Sequence, residues 1–269
     1  MNMKNRELLF FFVLTYLFSW FFYSPLVLTN VGILDYSFPS YFKIIASFGP
    51  SVSAIILVVQ KNGLLNTLSF LGRNLKPRVD IVWYILALMG PGVIGVSSVF
   101  LGSFIRGVAP DFRWSSGLVS FPIVFFFVFV FGGPLGEEYG WRGYALPRLL
   151  EDHSMVYSSF ILGLVWGIWH LPLFWISNTP QSEIPLLGFL AQIIGTSFIY
   201  TWMYKKTGGS IMIMMVFHAA GNSFGGLIPF LPLSQTGGSL TIFIVFLVLI
   251  WVTAIILTLM SKGISWRPC

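Results

Sequence analysis

Apolar runs close to the ~20 residues that a bilayer-spanning helix needs recur along the chain. They lie near 8–28, 42–60, 79–105, 118–149, 154–176, 184–204, 208–227 and 238–261. In lipid each such run must satisfy its backbone polar groups within the segment, as a helix does. The chain is therefore read as all-α, a polytopic membrane protein of about eight transmembrane helices. Pro50, Pro91, Pro122 and Pro172 fall inside several runs, which membrane helices tolerate. Composition agrees: only 9% of the 269 residues are charged, against about 25% in a soluble domain, and the mean hydropathy is +0.85. No internal repeat or low-complexity linker interrupts the pattern, so residues 1–269 are taken as one domain.

The formal charge of +6 comes from basic residues in the connections between apolar runs. That is a pattern of membrane orientation and not of a nucleic-acid-binding face. With the N-terminus in the cytoplasm, the cytoplasmic segments hold Lys4, Arg6, Lys61, Arg73, Lys76, Arg78, Arg142, Arg148, Lys205, Lys206, Lys262 and Arg267. The opposite side holds Lys43, Arg106 and Arg113. Twelve against three predicts an integral multi-pass protein with both termini cytoplasmic. The first run follows Lys4 and Arg6 as a signal peptide would, yet it is long, aromatic and without a small-residue cleavage site, so it reads as a retained helix. The single cysteine, Cys269, allows no internal disulfide or cysteine metal site. Nor does it form a prenylation box, which needs three further residues after its cysteine.

Against this background the stretch FGGPLGEEYGWRGYALPRLL, residues 131–150, is anomalous. Charges within a membrane span are costly, and they are usually paired, functional or both. Glu138 and Arg142 are four apart with the acid first, the favourable order on one helix face. Glu137 is rotated by about 100° from its neighbour and has no local partner. The simplest division of labour makes Glu138 and Arg142 a structural pair and leaves Glu137 free. Two further motifs share the i, i+4 spacing: Trp166 with His170, and His218 with Asn222. His153, in the short connection after the fourth run, reads as solvated.

Depth brings these groups together. At 1.5 Å per residue, His170 lies about 24 Å from the cytoplasmic start of the fifth span and His218 about 15 Å into the seventh. If the fourth span runs on through EEYGWRGYAL to near Arg148, Glu137 sits about 17 Å deep, at a similar level. A carboxylate, two imidazoles and an amide gathered in this way suit the attack of water on a carbonyl. The carboxylate acts as general base and a histidine beside it shares the proton. An amide and the second imidazole stabilise the oxyanion.

EExxxR, [F/W]xxxH and HxxxN in this order on successive membrane helices resemble the CPBP family of CAAX proteases and bacteriocin-processing enzymes, also called Abi proteins. The resemblance covers roughly residues 120–225, and the triple is specific where each part alone is weak. It implies an eight-helix intramembrane glutamic endopeptidase similar to the type II CAAX prenyl protease, with its active site between the fourth, fifth and seventh spans and no cofactor. By the same resemblance Glu137 and His170 activate water, and His218 and Asn222 form the oxyanion hole. Trp166 stands where many members have phenylalanine and keeps an aromatic wall. The implied substrate is a membrane-associated protein or peptide, prenylated or of bacteriocin type.

Three other readings use the same residues. Glu137, His170 and His218 could supply three ligands to zinc with one position open, although no HExxH is present and Asn222 suits an oxyanion better than zinc. A non-catalytic immunity factor or membrane scaffold would keep the motifs for packing. A proton-coupled transporter also buries Glu and His, but its polar groups would recur in corresponding positions of two halves. Here they fall in the fourth, fifth and seventh spans alone.

Overall fold

The computed structural model describes residues 3–261, apart from the side chains of residues 3–5 and 73. Of the basic residues counted for orientation, the side chains of Lys4 and Arg73 and the whole of Lys262 and Arg267 lie outside the described part, as does Cys269. The secondary structure is helical throughout: α1 (Met3–Asn30), α2 (Tyr41–Ser47), α3 (Gly49–Leu75), α4 (Ile81–Ile105), α5 (Phe121–Phe131), α6 (Pro134–Gly140), α7 (Leu146–Asp152), α8 (Met155–Trp169), α9 (Pro180–Glu183), α10 (Leu186–Lys206), α11 (Ile211–Leu227) and α12 (Leu240–Met260). Seven helical segments among the described residues are long and apolar enough to cross a membrane. The eighth expected span is α11, at 17 residues shorter than the others.

Helix starts are set by polar side chains that occupy the unpaired first-turn amides. Asp80 accepts from Val82 N, Ser154 from Tyr157 N, Ser210 from Ile213 N and Ser239 from Ile242 N. The helix α11 runs through the centre, packed on α4, α5, α6 and α10. Its Ile211, Ile213, Met214, Met215, Ala219 and Ala220 are buried, so unlike an ordinary span it meets protein on most of its faces. Outside it, α8 packs on α10 and α10 on α12. Within lipid, hydrogen bonds from side chains to backbone carbonyls add to packing as glue between helices. Trp20 Nε1 donates to Trp169 O at 3.1 Å, Ser19 Oγ to Ala46 O at 2.7 Å, and Ser51 Oγ to Leu135 O at 3.1 Å.

Two expectations are corrected. The fourth span is not one helix over 118–149. It ends at Phe131, and a second helical run, α6 joined to α7 by one π turn at Trp141–Ala145, carries the charged residues. Gly133 makes the break with φ 113°, ψ −49°, a backbone conformation L side chains rarely adopt, and Pro134 restarts the helix. The fifth span stands close to where it was expected, at Met155–Trp175, with its α-helix closing at Trp169 and His170 as the cap because Pro172 cannot continue the hydrogen-bond ladder. Arg142, counted among cytoplasmic residues, is wholly buried.

Candidate active site

Each polar group of the site is set in place by a helix end or a helix break. Glu137 lies in the first turn of α6, immediately after the Gly132–Gly133 break. Its Oε1 is turned back over Gly133: a Cβ placed there would collide with that oxygen and stand 3.5 Å from His218 Cε1. Its Oε2 accepts a hydrogen bond from Trp166 Nε1 at 2.7 Å. Among the described residues Glu137 thus forms no ion pair, in line with its lack of a local partner, but it is not free, because the indole of α8 holds one oxygen.

Glu138 faces the other way, into the packed interior, and is 0% exposed. Arg142 Nη1 donates to both of its oxygens, at 2.9 and 3.2 Å. The pair exists as the spacing implied, but it also does something the spacing did not reveal. His218 Nδ1 lies 2.7 Å from the same Glu138 Oε1. The carboxylate therefore fixes the His218 ring from behind, and any hydrogen bond His218 makes toward the cavity must use Nε2.

A buried guanidinium needs more than one carboxylate. Its Cζ stands 4.1 Å from the centre of the Trp166 ring and 3.8 Å from that of Tyr200, so Arg142 is sandwiched between two aromatic faces. Such cation–π contacts are worth about 2 kcal/mol or more when desolvated. They cover a cation whose Nε and Nη2 make no hydrogen bond.

His170, at the end of α8, is boxed by Trp169, Phe189 and Trp166, with ring centres 4.7, 5.2 and 5.7 Å away. Its Nδ1 lies 2.8 Å from the Trp166 carbonyl. A carbonyl can only accept, so Nδ1 carries a proton and Nε2 is the nitrogen left for other work. Asn222, one turn beyond His218 on α11, donates from Nδ2 to Gly132 O at 3.2 Å and ties α11 to the helix break. One N–H of its amide remains uncommitted.

Glu137, Trp166, His170, His218 and Asn222 all line one cavity of about 510 Å³. Glu138 and Arg142 do not line it; they stand behind its wall. His153 lies apart from the site, exposed, with its ring tilted against Tyr157 at 4.3 Å. Among the described residues no three or more His, Cys, Asp or Glu side chains are grouped as a metal site would group them, the Glu137, His170 and His218 set included. Two participants went unnoticed in the sequence. Tyr200 is buried, caps Arg142 and packs edge-on to Trp166 at 5.7 Å. The Trp166 N–H is the second, a donor to Glu137 where only an aromatic wall was expected.

With this geometry in view, similarity to known proteins can be read against particular residues. Residues 119–224 match the family described as type II CAAX prenyl endopeptidase Rce1-like. That interval contains every site residue just described. A protein of Methanococcus maripaludis named CAAX prenyl protease 2 is 32% identical over 180 residues. The match covers 62% of this chain, which thus spans about 64% of that relative's length.

Proposed function

Because residues 119–224 match the type II CAAX prenyl endopeptidase Rce1-like family, we propose that this chain is an intramembrane endopeptidase using water activated by Glu137. The observation that carries this reading is the Glu137 carboxylate itself. It lines the cavity, one oxygen is tied to Trp166 and the other lies over Gly133. A water held between Glu137 and His170 Nε2 attacks the scissile carbonyl and gives its proton to Glu137. With its Nδ1 proton on Glu138, His218 donates from Nε2 only as the imidazolium, and in that state it and the spare N–H of Asn222 donate to the oxyanion that forms. As the C–N bond breaks, the proton passes from Glu137 to the departing amine nitrogen. No step calls for a metal. Glu138 and Arg142 act through His218, as positioning residues. The substrate is a membrane-associated protein or peptide, prenylated or not.

The test is to collect membrane peptides that accumulate in cells carrying Glu137→Gln, then add purified wild-type chain in detergent. Wild type is expected to cleave them, while Glu137→Gln and His170→Ala insert and fold but do not. Near-normal turnover by purified Glu137→Gln would sink the general-base assignment.

A further inference from the structure

We infer that Gln192 is a substrate-binding residue whose side-chain amide pairs with one peptide unit of the substrate main chain, next to the bond that is cut. This role rests on the proposed protease reading and adds to it a group from α10, outside the three sequence motifs.

Gln192 stands about 9 Å into the span that begins at Leu186. An amide at such a depth is costly unless it is bonded, and in a membrane helix it ordinarily serves as glue to a neighbour. Gln192 does not. Its Oε1 is buried and accepts no hydrogen bond, and no described residue bonds its Nε2. The glue on this helix lies elsewhere: Trp251 Nε1 of α12 donates to Ala191 O at 3.1 Å. Among the described residues, two buried side-chain atoms without a partner belong to residues that line the cavity, Trp169 Nε1 and Gln192 Oε1. The Trp169 ring is fixed edge-on between Trp141 and His170, at 5.9 and 4.7 Å. The Gln192 amide instead ends a chain of rotatable bonds, and a half-turn of its last torsion exchanges acceptor and donors.

The register of α10 sets where that amide acts. Phe189, Gln192, Thr196 and Tyr200 recur every three or four residues, share one helix face and all line the cavity. At one end of this stripe Phe189 packs on His170, with ring centres 5.2 Å apart. At the other, Tyr200 packs on Trp166 at 5.7 Å and on His218 at 6.3 Å. Gln192 lies one turn from Phe189, about 4.5 Å along the axis. One residue of an extended chain covers about 3.3–3.6 Å. A peptide with its scissile carbonyl beside His170 therefore carries the adjoining peptide unit past Gln192. That unit brings one N–H and one C=O against Phe189 and Ile193, which are apolar, and both groups lose their bonds to water there. Glu137, His170, His218 and Asn222 are engaged at the scissile bond itself. A primary carboxamide supplies the missing acceptor and donor together. The ligand is thus an extended secondary-amide main chain, bound whatever side chains it carries.

Two measurements test this role. The first needs no substrate: thermal unfolding of the full-length chain in detergent, wild type against Gln192→Leu. Because Gln192 Oε1 has no partner to lose, Gln192→Leu is expected to unfold at the wild-type temperature or a few degrees above it. A drop of several degrees would make the amide a structural contact and overturn the inference. The second uses a peptide recovered from Glu137→Gln cells, synthesised with a methyl group on each of the two backbone nitrogens flanking the scissile bond in turn. At one of them, methylation is expected to raise the wild-type KM about five- to tenfold, the scale of one hydrogen bond, with kcat little changed. Gln192→Leu should show a similar rise with the unmodified peptide and no further rise on methylation. Equal sensitivity of wild type and Gln192→Leu to methylation would overturn the inference and leave the protease reading standing. Binding of the same peptides to the Glu137→Gln chain, with and without Gln192→Leu, is read from the rise in unfolding temperature. The expected dependence on Gln192 in binding, from a wild-type chain that cleaves nothing, would uphold the role and count against the protease reading alone.

Discussion

The Glu138–Arg142 pair permits a prediction whose size follows from the geometry. Arg142→Ala removes three contacts at once: the ion pair at 2.9 Å and the faces of Trp166 and Tyr200. Stranding a buried charge by deleting its partner costs about 3–5 kcal/mol. Losing the desolvated cation–π contacts adds about 2 kcal/mol. A total of roughly 5–7 kcal/mol is comparable with the whole stability of many domains, about 5–15 kcal/mol. Arg142→Ala should therefore give little folded protein. Glu138→Gln should be milder, because the amide oxygen can still accept from His218 Nδ1 and the guanidinium keeps its aromatic sandwich. Arg142→Met combined with Glu138→Gln removes both charges and fills the space, so it should recover much of the folded yield.

Thermal unfolding of the single and double variants in detergent measures this as a cycle. A coupling energy of about 3 kcal/mol is expected, well above the 0.3–0.5 kcal/mol scatter of independent sites. Coupling near zero would mean that the two side chains are stabilised separately and that the pair is not a unit. Recovery of folding need not restore activity. Glu138 also orients His218, so the refolded double variant should turn over substrate slowly. If instead both single variants fold normally and lose all activity, the pair is catalytic and its positioning role is wrong.

Three further outcomes are expected. His218→Ala and Asn222→Ala should each lower kcat by on the order of 10²–10³ with KM little changed, because an oxyanion hole acts mainly in the transition state; equal losses in binding would refute that role. Activity should survive dialysis against a strong chelator, and metal analysis should find well under one zinc per chain; reversible inactivation with one zinc bound would replace the glutamic mechanism while keeping the peptidase. Trp166→Phe keeps a ring over Arg142 but removes the donor to Glu137, a hydrogen bond to a charged group worth about 1.5–3 kcal/mol, so kcat should fall about tenfold or more without loss of folding. An unchanged kcat would show that the indole N–H does not hold the base.

How much of this was legible in the sequence depends on the range of each interaction. Hydropathy located the spans because lipid imposes a length on each. The i, i+4 spacings located Glu138 with Arg142, Trp166 with His170, and His218 with Asn222, because those pairs share a helix. The break at Gly132–Gly133 was written in the sequence as FGGPLG, a breaker signal. It was overridden because the apolar run of α5 leads into it without a polar interruption.

What spacing could not give was contact between helices. The sixth span, read as free of site residues, enters the site through Tyr200. The reason lies one helix away: at Gly163 of α8, an added Cβ would stand 2.9 Å from both Ile194 Cα and Ser197 Cβ of α10. A hydrogen in place of a side chain lets the two backbones approach closely, as small residues do at membrane helix interfaces. That approach brings Tyr200 against Trp166, and the two rings then enclose Arg142. Arg142 holds Glu138, and Glu138 holds His218. A glycine with no chemistry of its own thereby supports the orientation of a ring on another helix. A larger residue at position 163 should separate α8 from α10, loosening the enclosure of Arg142 and with it His218, and it should also disturb Glu137, which Trp166 of α8 holds directly.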